Sequence, residues 1–200
     1  MLNSWDQSDN QFLTRAIEDG HYIITNLRPN TATTSLFDQS YTYNDATITM
    51  DAHLVNAESL ASGYGLVFRY VDEENYNVFA IDGRGRFSIW VRENGEWQEL
   101  RNTASNWTED EAVNIGTETN TITIEIDENT LTGLVNGIQV TQVEDDTITQ
   151  GGIGIYLATT PQGEATVEVD SFSISENQAP VSAMTDDSEE FSEAMTDDGE

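Results

Sequence analysis

The chain has 200 residues, of which 37% are hydrophobic, which is enough for one domain with a substantial core but not for two. It carries 37 acidic residues against seven arginines and no lysine, and the net charge of −30 argues against nucleic acid and anionic lipid as partners. The absence of cysteine excludes disulfides and thiolate chemistry. No apolar run is long enough to span a membrane and the first residues lack a signal-peptide pattern, so we expect no membrane insertion.

The predicted elements are all strands. Short runs in which apolar and polar residues alternate recur from residue 11 to about 175, between turns rich in Gly, Asn and Asp, and no helical period is sustained. In chain order the predicted strands are Phe12–Ile17, His21–Leu27, Thr34–Phe37, Ala46–Val55, four within Tyr64–Leu100, Thr121–Ile126, Leu131–Val135, Ile138–Val143, Gly152–Ala158 and Ala165–Ile174. The pairs Asn94-Gly95 and Asn136-Gly137 predict tight hairpins. About a dozen strands indicate two packed sheets rather than one open sheet.

The last part of the chain differs in composition from the rest. Residues 176–200 carry nine acidic residues and no basic one, and the pentapeptide AMTDD occurs twice within them. Such a segment cannot bury enough apolar surface to fold alone. We therefore predict one domain at residues 1–175 and a disordered acidic tail or linker at 176–200, the alternative for the tail being a partner-docking peptide built on Met184, Phe191 and Met195.

Several segments together carry a family resemblance. They are EDGHYIITN, ATITMDAHLV, SGYGLVFRYVDEENYNVFAIDGRGRFSIWVRENGEWQEL, TLTGLVNGIQVTQV, GGIGIYLA and VEVDSFSI. In this order they resemble the concanavalin A-like lectin/glucanase domains, including laminin G-like and 3-keto-disaccharide hydrolase-type domains, over most of residues 5–175. The resemblance implies an all-β jelly-roll sandwich of two antiparallel sheets at an extracellular or cell-surface location. It also implies a structural calcium ion with Asp170 as a ligand, and no other cofactor is required.

Glucanases with this fold carry a catalytic carboxylate motif, Glu-x-Asp-x-(x)-Glu, on one strand. In the nearest match, residues 125–129, Glu125 and Asp127 share a strand face, but Glu128 points the other way. A retaining glycosidase needs two carboxyl groups roughly 5 Å apart, so the motif is incomplete and no catalytic residue is predicted. The only histidines, His21 and His53, are too few for a three-histidine zinc site.

A ligand-binding face is predicted from the hairpins between Tyr64 and Leu100. The simplest register places Arg69 near Val78 and then Trp90, and Tyr76 near Arg92 and then Trp97. The opposite face is continuously apolar and is predicted to be the core; it comprises Leu66, Phe68, Phe79, Ile81, Phe87 and Ile89. Aromatic rings stack on the apolar faces of sugars, and guanidinium groups donate hydrogen bonds to hydroxyls or carboxylates. The candidate ligand-binding residues are Arg69, Tyr76, Trp90, Arg92 and Trp97.

Three functions remain open at this point. The favoured one is a non-catalytic module of a secreted or cell-surface protein that binds carbohydrate or a glycoconjugate through this face. The second is a structural or adhesion module with a protein partner, in which the same residues only stabilise an exposed sheet or lie beneath the loop of residues 102–114. The third is a glycoside hydrolase acting on a poly- or disaccharide, because this fold supports binding modules and enzymes alike.

Overall fold

The computed structural model describes residues 5–38 and 42–176, and within them every regular element is a β-strand. The strands, in chain order, are β1 Ser8–Asp9, β2 Leu13–Glu18, β3 His21–Asn26, β4 Ala32–Phe37, β5 Ala46–Ala57, β6 Gly63–Asp72, β7 Asn75–Asp82, β8 Arg86–Glu93, β9 Glu96–Glu99, β10 Thr108–Glu109, β11 Asn120–Asp127, β12 Thr130–Val135, β13 Ile138–Glu144, β14 Gly152–Ala158 and β15 Ala165–Glu176. Each predicted strand is present. The predicted tail and its docking peptide, beyond Glu176, lie outside the described residues.

The strands form two antiparallel sheets that pack face to face as a jelly-roll sandwich. One sheet has eight strands in the order β1-β2-β3-β15-β5-β11-β12-β13. The other has seven, in the order β10-β8-β7-β6-β14-β4 with β9 also paired to β8. The predicted fold class is therefore confirmed. No helix in the described part of the chain has the length and hydropathy that crossing a membrane requires.

The hairpins and the alternation follow from the sequence. In β5 the residues Ala46, Ile48, Met50, Ala52 and Leu54 are buried, while the residues between them are partly exposed on the other face. Both predicted Asn-Gly turns have positive φ at the two central residues, 50° and 83° at residues 94–95 and 51° and 78° at residues 136–137. Asn and Gly tolerate this conformation, which matches the twist of the flanking strands.

The core lies between the sheets. All six side chains of the predicted apolar face, from Leu66 to Ile89, are buried there, opposite residues such as Ile48 and Ile124 of the eight-stranded sheet. Each fully buried side chain of this size stabilises the fold by roughly 1.5–3 kcal/mol. Gly133 on β12 makes room for one of them, since a Cβ there would lie 2.7 Å from two ring atoms of Phe79. The core thus fixes the seven-stranded sheet so that its alternate residues face outward.

Candidate functional site

The outer face of the seven-stranded sheet carries the predicted aromatic side chains. Val78 of β7 pairs with Trp90 of β8, and Tyr76 pairs with Arg92, which in turn pairs with Trp97 of β9. This part of the predicted register is confirmed. Because side chains alternate along each strand, all of these residues lie on the face opposite the core.

A groove of about 500 Å³ runs along this face, and we call it the aromatic groove. It is lined by Ala61, Gly63, Ala80, Trp90, Trp97, Asn106, Trp107, Tyr156, Ala158 and Thr159. Large aromatic rings form its walls, and small residues separate them. Gly63 contributes directly, since a Cβ there would lie 3.1 Å from the ring of Trp107. A volume of this size is within the range of sites for small molecules.

Trp97 is the central ring of the aromatic groove. Its centroid lies 6.1 Å from that of Trp90, 5.5 Å from that of Tyr76 and 6.3 Å from that of Tyr156, with steep interplanar angles in each case. Such edge-to-face contacts hold aromatic rings in fixed orientations. Trp97 is nevertheless 39% exposed, so part of its surface is available for contact with a ligand.

Three indole N–H groups of the groove have no hydrogen-bond partner among the described residues, whereas the Asn106 carbonyl and the Thr159 hydroxyl are bonded within the protein. The three groups belong to Trp90, Trp97 and Trp107. The Tyr156 hydroxyl is a hydrogen-bond donor and acceptor, and burial raises its pKa well above the ordinary value. The groove therefore combines apolar surface with a few polar atoms.

Arg92 and Tyr76 support the groove from one end. The Arg92 Nη1 group donates to the carbonyl of Glu73 at 2.7 Å, and the guanidinium lies 5.5 Å from the centroid of Trp97. Arg92 is half-buried, and among the described residues no carboxylate forms an ion pair with it within 4 Å. Tyr76 is only 3% exposed, beneath Trp97 and stacked on Tyr70. Tyr76 thus holds the ring of Trp97 in place rather than facing solvent.

Arg69 is not on this face, which corrects the prediction. Val67, not Arg69, pairs with Val78, and the β6–β7 register shifts between Phe68 and Asp72. At this bulge Arg69 has a φ of 50°, and its side chain is 1% exposed, with donors directed to the carbonyls of Asp145 and Glu128. Burial lowers the pKa of the guanidinium, and the nearby carboxylate of Asp145 opposes that shift. Arg69 therefore stabilises one end of the sandwich and cannot reach a ligand in the aromatic groove.

Two groove residues were missed by the sequence prediction. Tyr156 is the outward residue of β14 between the buried Ile155 and Leu157, a position that the alternation in Gly152–Ala158 indicates. Trp107 belongs to the segment between β9 and β10, whose placement no periodicity predicts. That segment passes along the edge of the sheet and lines the groove without covering Trp97.

Arg101 fixes the segment that carries Trp107. Its guanidinium donates to Thr108 Oγ1 at 2.7 Å and to the carbonyl of Asn106 at 2.9 Å, and it forms an ion pair with Glu99. The hydroxyl of Ser88 also donates to the carbonyl of Asn106. These bonds attach the segment to β8 and β9, so Trp107 has a defined position at the groove.

Carboxylates are arranged differently from those of a glycosidase. Within the described residues none lines the aromatic groove, and Glu99, on the strand beside Trp90, is paired with Arg101. Glu125 and Asp127 are exposed on β11 of the eight-stranded sheet, and Glu128 follows in the turn with a φ of 49°. The incomplete motif thus belongs to the opposite sheet from the groove.

Asp170, the predicted calcium ligand, lies on the outer face of the eight-stranded sheet. Its carboxylate contacts His21 Nδ1 at 2.9 Å and lies 3.6 Å from His53 Nδ1. Calcium prefers six to eight oxygen ligands, and imidazole nitrogen is a poor donor for it. The groups around Asp170 therefore do not fit a calcium ion.

The fold is a concanavalin A-like jelly-roll sandwich. Among solved structures it is similar to the carbohydrate-binding module CBM66 from Bacillus subtilis, with a TM-score of 0.67 and 15% identity over 86% of this chain and 94% of that one. Alginate lyase A1-II′ of polysaccharide lyase family 7 gives a TM-score of 0.58 and 12% identity, with 86% of each chain covered.

The GH43 protein BlXynB from Bacillus licheniformis is also similar, with a TM-score of 0.58 and 10% identity, but only 36% of that chain is covered, against 86% of this one. No protein-family model and no curated protein matches the sequence. At these identities the structural likeness establishes the fold and confirms the resemblance at that level.

Proposed function

We propose that the chain is a non-catalytic carbohydrate-binding module and that the aromatic groove is its ligand site. The observation that carries the proposal is the exposed ring of Trp97, set among Trp90, Trp107 and Tyr156 on the outer face of the seven-stranded sheet. The similarity of the whole fold to CBM66, a structure named as a carbohydrate-binding module, supports the same class of ligand.

The chemistry of the groove suits a sugar better than a purely apolar ligand. Pyranose rings present apolar C–H faces that stack on aromatic side chains, and their hydroxyls need hydrogen-bond partners. The free indole N–H groups and the Tyr156 hydroxyl supply such partners beside the stacking surfaces. Arg92 lies beside Trp97 at one end, where its guanidinium can donate to an oxygen of a bound sugar.

The described lining of the groove has no carboxylate, which favours binding over hydrolysis. A glycosidase needs two carboxylates flanking the bond that is cleaved. We therefore expect a bound oligosaccharide to remain intact after prolonged incubation. Release of shorter sugars that depends on the groove would instead support the hydrolase alternative.

The proposal includes the setting in which such a module works. We propose that it belongs to a secreted or cell-surface protein, where glycans and glycoconjugates are accessible. The net charge of −30 of the whole chain favours solubility and disfavours contact with nucleic acid.

A glycan array tests the ligand site. The array carries neutral and acidic oligosaccharides and is probed with and without calcium, using the wild-type chain and the variants Trp97→Ala and Trp90→Ala/Trp97→Ala. Ile138→Ala is the matched control, because Ile138 is exposed on β13 of the other sheet. Circular dichroism verifies that each variant is folded.

We expect binding to one class of glycan, with or without calcium, and at least a tenfold loss of affinity in Trp97→Ala, which corresponds to about 1.4 kcal/mol. Ile138→Ala should bind like the wild type. Equal binding by the double tryptophan variant would contradict the proposed site. Failure of the wild type to bind any glycan would favour the adhesion-module alternative.

A further inference from the structure

Both histidines of the chain lie on the outer face of the eight-stranded sheet, each beside Asp170 although they are far apart in sequence. His21 begins β3 and His53 lies on β5, and β15 runs between these two strands. Glu168 and Asp170 of β15 lie between the two imidazoles. We call these four residues the histidine cluster.

The strand register explains why they meet. Tyr22 pairs with Val169, which places His21 beside Asp170, while His53 pairs directly with Glu168. The core side of β15 is taken by Val167 and Val169, so the two carboxylates point outward. Cross-strand neighbours on one face of a sheet are close enough for their side chains to interact.

The donor atoms converge in a way that suits one shared ion. One donor each from His21, Glu168 and Asp170 lie within 4.8 Å of one another. His21 Nδ1 is 2.9 Å from Asp170 Oδ1 and 3.4 Å from Glu168 Oε1. Metal–ligand bonds of about 2.0–2.2 Å let a single ion bridge atoms at such separations after small side-chain rotations.

His53 supplies an additional observation. Its Nδ1 atom is buried and has no hydrogen-bond partner among the described residues, although it lies only 3.6 Å from Asp170 Oδ2. Burying a polar nitrogen without a partner is unfavourable. Coordination of an ion held by Asp170 would satisfy this nitrogen.

The chemical character of the donors selects the ion. Imidazole nitrogen together with carboxylate oxygen suits first-row transition ions such as Zn²⁺, whereas calcium requires a shell of oxygens. The high negative charge of the protein raises the local concentration of any cation. Selectivity must therefore come from the two imidazoles.

We propose that the histidine cluster is a binding site for a divalent transition metal, typified by Zn²⁺, with His21, Glu168 and Asp170 as ligands and His53 as the fourth. Such an ion links β3, β15 and β5 across the sheet opposite the aromatic groove. An ion that binds only the folded chain stabilises it.

Titration of untagged protein with ZnCl₂ tests the site, because the chain offers only these two histidines and no cysteine. Calorimetry in physiological salt should give one saturable Zn²⁺ site per chain. The variants His21→Ala and Asp170→Asn should bind at least tenfold more weakly. The control Glu125→Gln, which removes an exposed carboxylate on β11 of the same sheet, should bind like the wild type.

Nuclear magnetic resonance of the wild type gives a readout that does not depend on the folding of any variant. The imidazole signals of both histidines should shift until one equivalent of Zn²⁺ has been added, and a large excess of Ca²⁺ should not reverse the shift. Zinc binding that leaves both imidazole signals unchanged would overturn the proposal. Loss of the shift in Glu125→Gln, or displacement of Zn²⁺ by an equal concentration of Ca²⁺, would overturn it too.

Discussion

Replacement of Arg69 by methionine should destabilise the domain without changing its ligand site. Methionine retains the apolar stem but removes the donors to the carbonyls of Asp145 and Glu128. The buried carbonyl of Asp145, left without a donor, costs about 1–3 kcal/mol, and the partly exposed carbonyl of Glu128 costs less because water can reach it. Loss of the cation also leaves the Asp145 carboxylate, which is 7% exposed, supported mainly by Asn77 and Thr147. Because methionine avoids the cost of burying a guanidinium, we expect a net loss of about 1–3 kcal/mol.

Urea unfolding followed by tryptophan fluorescence measures this difference, with Arg84→Met as the control. Arg84 is exposed in the β7–β8 turn, so its replacement should change stability by no more than about 0.5 kcal/mol. A loss below 1 kcal/mol in Arg69→Met would refute the structural role assigned to Arg69. Loss of glycan binding at unchanged stability would restore Arg69 as a ligand-binding residue.

Three further predictions concern the core, the response to pH and the groove wall. Gly133→Ala should lower stability by about 1–3 kcal/mol in the same unfolding assay, because the added methyl group overlaps the ring of Phe79; an unchanged urea midpoint would contradict the close packing. Burial raises the pKa of Tyr64 to about 12, so between pH 10 and about 12 the tyrosine ionises in the unfolded chain but not in the folded one. The free energy of unfolding should therefore be unaffected below pH 10 and fall by about 1.4 kcal/mol per pH unit in that interval. Tyrosinate absorbance follows the ionisation, and ionisation of Tyr64 near pH 10 in the folded state would contradict the raised pKa. Arg101→Ala should weaken glycan binding in calorimetry, because it releases the segment that holds Trp107. Wild-type affinity in this variant would show that Arg101 does not position Trp107 for binding.

The fold was predictable because local patterns agree with the global arrangement. Alternation in segments such as Ala46–Val55 identifies both the strand and its buried side, and the Asn-Gly turns fix two hairpins and their registers. The order of the segments added the sandwich topology through resemblance. Alternation and turn residues are local patterns, and the order of the segments is a property of the whole sequence. None of these patterns depends on a single unusual residue.

Arg69 could not be predicted in the same way. Charged residues are rarely fully buried, and regular alternation from Val67 would turn Arg69 outward. The bulge after Phe68 and the positive φ at Arg69 turn the side chain of Arg69 to the other face of the sheet. The two carbonyls that accept its hydrogen bonds belong to Glu128 and Asp145, far along the chain. A bulge stabilised by distant partners leaves no local sequence signal.

The candidate sites depend on strand order to different degrees. Trp90 and Trp97 lie on the two strands of the β8–β9 hairpin, so their common face follows from its register alone. His21 and His53 become neighbours of Asp170 only because the last strand, β15, inserts between β3 and β5. That insertion is a non-local feature of the sandwich, and so Asp170 was predicted as a ligand without its histidine partners.

The indole resonances of the four tryptophans give the most direct test of the central claim, that the aromatic groove binds carbohydrate. The chain is labelled with nitrogen-15 and titrated with an oligosaccharide that binds in the array. Trp5 is the internal control, since it is buried among Tyr22, Phe37 and Phe172, away from the groove. The account predicts shifts of the indole signals of Trp90, Trp97 and Trp107 and an unchanged signal of Trp5. Saturable binding that leaves the three groove signals unchanged would contradict it.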